Sequence, residues 1–177
     1  MKRKRKFELY LLRSLFALGI ILFFPLIRKK PAIQMNEWII IFFIKSYISS
    51  LLDTVVTKKG FVTYPVRLFK IFNISVLFNF LLFPLSCVYY NQLTKNSSLP
   101  GILTKSLFFS VPMAFFEDIL EKNTKLVKYK KGWNSFISFF SITITFLFVR
   151  GIISVIRFLN KNPSSSNSKN DQPDRSG

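Results

Sequence analysis

Lys45 and Asp53 stand eight positions apart in a run otherwise made mostly of Ile, Phe, Leu and Ser. Asn79, Glu117 and Arg150 interrupt three later apolar runs in the same way. An ionisable group at bilayer depth costs about 2.5–3.5 kcal/mol on insertion scales, so each marks a candidate functional position. Lys45 and Asp53 are two turns and roughly 80° apart on a helical wheel, which favours partners on neighbouring helices over each other. The chemistry on offer is a polar path for an ion or small solute, with Asp53 and Glu117 near its inner mouth. The competing account is plainer: Lys45 snorkels, and Asp53 lies at the membrane surface facing Lys58 and Lys59.

Most other chemistries lack their parts. The chain has no histidine, which removes the usual general base, the commonest metal ligand and any histidine-based triad. Its single cysteine, Cys87, forms neither an internal disulfide nor a metal set. Glu117 and Glu121 are one helical turn apart and would suit a divalent cation. Asp118–Lys122 and Glu121–Lys125 are also i,i+4 pairs, however, as on any solvated helix end. No nucleophile–base pair is legible, so a non-enzymatic protein without cofactor is expected.

Stripes of small and hydroxylated residues accompany these charges. Ser46, Ser49, Ser50, Asp53 and Thr57 share one face; Ser75, Asn79, Ser86 and Tyr90 share another; Ser106, Ser110 and Glu117 a third; and Asn134, Ser138, Ser141 and Thr145 a fourth. Such stripes let membrane helices approach and hydrogen-bond, at about 0.6 kcal/mol per bond. Lys45-Ser46 with Ser50 and Lys105-Ser106 with Ser110 repeat a KSxxxS pattern, a faint hint of internal symmetry.

The elements that carry these residues follow from hydropathy. Half of the 177 residues are hydrophobic, 22 are Phe, and they gather in runs near twenty long. The expected architecture is all-α: a polytopic bundle of about five transmembrane helices over residues 9–27, 38–56, 66–90, 101–120 and 136–159. An alternative has four spans, with residues 38–56 lying flat at the interface. KRKRK before the first run, with no small-x-small cleavage pattern after it, predicts an uncleaved signal anchor. Gly60 and Pro65 are expected to form the turn and the helix restart between the second and third spans. Pro84 and Pro112 should kink their helices. The polar tail, residues 160–177, contains no hydrophobic residue and is expected to be disordered.

The net charge of +18 sits mostly between the runs, which argues against nucleic acid and for membrane loops. With the N-terminus inside, fourteen Lys/Arg fall on the cytoplasmic side and eight outside, whereas the four-span alternative gives ten and twelve. The positive-inside rule therefore predicts a cytoplasmic N-terminus and an external C-terminus. Lys58, Lys59, Tyr64, Arg67 and Lys70 in one loop, and Lys128, Lys130, Lys131 and Trp133 in another, are expected at anionic headgroups. Three alanines against eighteen lysines suggest an A+T-rich genome, hence a bacterial plasma membrane.

The segments DTVVTKKGFVTYPVRLFK, LLFPLSCVYYNQLTKNSS and EKNTKLVKYKKGWN give the chain a likeness over about residues 20–158. It resembles a family of small, uncharacterised multi-pass membrane proteins of endospore-forming Bacillota. The resemblance implies a bacterial plasma-membrane location and a spore-related setting, and it transfers no functional residues. The leading expectation is a protein acting by contact, its basic loops touching anionic lipid, other membrane proteins or a second copy. The alternative is a small transporter or channel for an ion or small solute.

Overall fold

The computed structural model describes residues 2–27, 32–66 and 75–161. Each apolar run has become a helix: α1 Lys2–Ile27, α2 Ala32–Lys58, α3 Phe83–Leu93, α4 Leu99–Asn123 and α5 Ser135–Lys161. Four of them, over residues 6–26, 35–58, 99–123 and 135–160, are long and apolar enough to cross a membrane. α3 is shorter, but a π-helical turn, Phe78–Leu82, leads into it without a break, giving one helical rod over residues 76–93. The chain is a multi-pass, all-α membrane protein.

The third run is the one whose start differs from expectation. Pro65 and Val66 are bends, and the Val66 amide donates to the Lys125 carbonyl at 3.2 Å instead of opening a helix. Past residues 67–74, which lie outside the described residues, Ser75 is not helical and helix runs from Val76. The reason is local, because the Ser75 amide and the Tyr64 hydroxyl are both directed at Asp53, which holds the chain on either side of the gap out of a helix. Arg67 and Lys70 lie outside the described residues, as does the tail beyond Lys161.

Gly60 ends α2 as expected. At φ +75° it adopts the left-handed conformation; its amide donates to Thr57 O and the next amide, of Phe61, reaches back to Val56 O, both at 3.0 Å. This is the Schellman arrangement, which turns the chain sharply while satisfying the last carbonyls. β1 (Val62–Thr63) follows and pairs antiparallel with β2 (Lys128–Tyr129), Val62 opposite Tyr129 and Thr63 opposite Lys128. Lys130 N–H donates to Phe61 O at 2.7 Å, and Glu8 of α1 accepts from the Lys125 amide at 2.9 Å. The start of α1 and the loops after α2 and α4 therefore share one end of the bundle, the ribbon end. At the opposite end Tyr89 donates to Leu22 O at 2.7 Å and Arg157 pairs with Glu37. Successive helices alternate in direction, and α2 packs along its length against α3 and α5.

The packing inverts that of a water-soluble protein. On α4 the buried residues are Ser106, Ser110, Ala114 and Leu120, while Phe108 is 72% exposed and Phe115 65%. Lipid solvates Phe at no cost, so the interior is left to small residues that let helices approach closely. Apolar packing gathers around Ile41, Leu85, Tyr90 and Phe146, and separately at the ribbon end around Leu12, Val62, Leu120 and Leu126. A ribbon joining the two loops predicts that Thr63→Cys with Lys128→Cys, in a Cys87→Ala background, cross-links within one chain under mild oxidation. Thr63→Cys with Ser97→Cys, at opposite ends, should not, and non-reducing electrophoresis separates the two cases.

Candidate functional site

The polar face of α2 carries Asp53 inward, one turn before the helix ends. Four donors converge on its carboxylate. Tyr64 Oη donates to Oδ1 at 2.7 Å, with Thr57 Oγ1 at 3.4 Å; Asn79 Nδ2 donates to Oδ2 at 2.5 Å, with the Ser75 amide at 3.3 Å. Tyr64 reaches this place because strand residues alternate in direction, so Val62 and Tyr64 share the inward face that β1 presents. Burial, and then the nearby Asp53, push the Tyr64 phenol well above its ordinary range, so it remains a donor at neutral pH. Tyr64 thus turns inward onto Asp53 and the cavity, and Asp53 does not face Lys58 and Lys59.

Asn79 comes from the π turn. Pro84 has no amide and its ring would strike the carbonyl four residues earlier. The chain widens just before it, with Phe83 N–H donating to Phe78 O, five residues back. Wide turns of this kind commonly accommodate such a conflict and re-aim a side chain. Here Asn79 is buried and turned onto Asp53.

Glu117 of α4 approaches from the other side, with Tyr129 and Ser138 as its hydrogen-bonding neighbours. Ser138 in turn accepts from Trp133 Nε1 at 2.9 Å, while the Trp133 ring lies 5.9 Å from that of Phe61. Trp133 therefore forms part of the cavity wall. Burial and the neighbouring Glu117 also raise the Tyr129 phenol far above its usual value. Glu121 does not join Glu117 in a cation site: it turns outward to Lys128 at 3.4 Å, leaving Lys125 without the expected pair, while Asp118–Lys122 forms at 2.7 Å. Among the described residues no group of three or more His, Cys, Asp or Glu is placed to hold a metal.

Between these groups lies a cavity of about 240 Å³ bounded by α2, the π turn, α4 and α5 and covered by the ribbon. Lys45, Asp53, Asn79 and Glu117 all line it, with Tyr64 and Trp133. Lys45 does not snorkel: it is 2% exposed, donates to Thr145 Oγ1 at 2.5 Å and sits 4.8 Å from the centre of the Phe146 ring. Behind it Tyr90, Phe109 and Phe146 stack with ring centres 5.4–6.3 Å apart, filling the bundle towards the opposite end.

Arg150 belongs elsewhere. Its guanidinium donates to Thr94 O at 3.0 Å and Ser154 Oγ at 2.7 Å, so it caps the C-terminal end of α3. Lys105 caps the same end through Leu93 O at 2.8 Å, which gives the two KSxxxS lysines unlike surroundings. Of the loop cations, Lys58, Lys59, Lys130 and Lys131 are exposed at the ribbon end, with Lys131 Nζ tied to Lys59 O at 2.8 Å. Tyr129 and Glu8 were not singled out from sequence. Only Tyr129 had a signal available, as an aromatic residue alternating with Val127 through a short strand.

No family model, curated protein or solved structure matches this chain. Hydrogen bonds to a charged group contribute about 1.5–3 kcal/mol each. Asp53→Asn sets an amide donor against Asn79 or Ser75, and should lower stability by about 2–3 kcal/mol. Tyr64→Phe should cost about 1.5 kcal/mol. The double variant should fall short of the sum, as thermal unfolding in detergent can measure.

Proposed function

We propose that this chain is a small transporter-type protein of a bacterial plasma membrane, in the setting of the Bacillota family its segments resemble. In this reading it crosses the membrane five times, with the ribbon end in the cytoplasm, and its polar cavity binds an ion or small solute. One observation carries the reading: Lys45 and Asp53 of α2, Asn79 of the π turn and Glu117 of α4, from three separate helical segments, line a single cavity. Stripes that served packing alone would be used up in pairwise contacts between helices. Charges kept at bilayer depth around a shared space are the ordinary mark of a solute site.

Transport through alternating exposure fits better than an open channel. The Tyr90–Phe109–Phe146 stack fills the interior beyond Lys45, while Asp53 and Glu117 line the cavity nearest the ribbon end. The exposed Lys58, Lys59 and Lys130 favour the cytoplasm for that end by the positive-inside rule. A second role, contact with anionic lipid or partner membrane proteins, is supported by the ribbon itself. The antiparallel pairing of β1 with β2 presents Lys130 and Lys131 at the surface, where each cation contributes about 1 kcal/mol on an anionic leaflet.

Reconstituted into liposomes, the chain should carry at least one member of a panel of monovalent ions, amines, carboxylates and amino acids. Glu117→Gln should abolish that flux, whereas Lys58→Gln with Lys130→Gln should leave it intact. Vesicles that stay tight to the whole panel would sink the transport reading. Lipid or partner binding lost only in the lysine variant would then favour the contact role.

A further inference from the structure

The cavity is lined by two ionisable groups of opposite sign, Lys45 and Glu117, and neither has an ion-pair partner among the described residues. Lys45 is almost wholly buried, its ammonium meeting only the Thr145 hydroxyl and the face of Phe146. Glu117 meets a phenol and a hydroxyl, with no cation within ion-pair distance among the described residues. A buried charge without a counter-charge is strongly unfavourable, and none of the described residues supplies a counter-charge to either group.

They do not neutralise each other, since no Lys45–Glu117 ion pair forms. Asp53, which stands beside Glu117, is two turns along α2 from Lys45, a rise on the order of 12 Å. Asp53 itself is not the missing partner for an incoming cation, because four donors already occupy its carboxylate. The unmet demand is therefore for a positive group at Glu117 and a negative group at Lys45, several bonds apart. Tyr64 and Trp133 stand at the Glu117 end, where aromatic faces favour an ammonium.

Resting on the solute-binding reading above, we infer that the occupant is a small extended zwitterion of the ω-amino-acid class. Its ammonium lies at Glu117 and its carboxylate at Lys45. Size agrees with this assignment. The cavity of about 240 Å³ has room for a molecule of this size. An α-amino acid such as glycine places its charges too close together to reach both groups.

The test is titration calorimetry on the purified full-length chain with δ-aminovalerate, glycine, pentylamine, pentanoate, sodium and potassium. δ-Aminovalerate should bind at least tenfold more tightly than any other probe. Glu117→Gln should weaken δ-aminovalerate and pentylamine by about thirtyfold while sparing pentanoate, and Lys45→Gln should do the reverse. Pentylamine or sodium binding as tightly as δ-aminovalerate would overturn the zwitterion assignment and leave a cation site standing. Pentanoate doing so would leave an anion site. If no probe binds and the liposomes above stay tight, the solute-binding reading itself fails. The wild-type panel decides these outcomes even if a variant misfolds.

Discussion

A carboxylate placed inside a helical membrane bundle has to be satisfied by whatever the chain can bring to it. Asp53 meets that constraint with donors from its own helix, from the end of β1, from the residue that precedes the third helical rod and from the π turn. These donors lie 4, 11, 22 and 26 positions away in sequence, so one side chain fixes the path of the connection between α2 and α3. The ribbon then follows. With Tyr64 held inward, β1 is presented edge-on to β2, and the loop after α4 is pinned by Lys130 and Lys125. A two-stranded ribbon is marginal on its own in water. Here its inward residues, Val62 and Tyr64, are anchored in the bundle, and that supplies what the strands lack.

The interior works by a division of labour between proline and small residues. Pro84 forces the wide turn that aims Asn79, while the serine and threonine faces of α2, α4 and α5 leave space between the backbones. Space and polarity arise together, because hydroxyls are small and because a helix can satisfy them locally. Thr54, Thr143 and Thr145 each donate to a carbonyl three or four residues back. A cavity results where these faces meet the charged residues, and the phenylalanines excluded from it line the lipid surface.

The helices were legible in the sequence because runs near twenty apolar residues admit few other structures in a membrane. Described helix ends overrun the expected spans by a few residues, since charged flanks continue a helix into the headgroup layer. The polar stripes were legible as stripes, yet periodicity fixes only a face and not the neighbour that face meets. That is why Asp53, Asn79 and Glu117 were nominated together with Arg150, which packs at the other end. The ribbon was hidden because strands of two residues carry no usable period. Tyr64 and Trp133, aromatic residues in basic loops, fitted the headgroup pattern equally well. Only the pairing that turns them inward distinguishes the two roles.

Arg150 and Lys45 show why burial alone does not identify a site. Both are cations within the bundle, each under a tenth exposed. Arg150 stands at the C-terminal end of α3, where carbonyls unpaired within the helix offer partial negative charge, and its fork donates to Thr94 O. Its charge is answered by backbone, as a structural cation should be. Lys45 sits mid-helix, where every nearby carbonyl is committed to helix hydrogen bonding, and it finds only one hydroxyl and a ring face. The same logic separates the acids, for Asp53 receives four donors while Glu117 meets only a phenol and a hydroxyl. In each pair the group whose charge is left unanswered is the one that faces the cavity without other structural work.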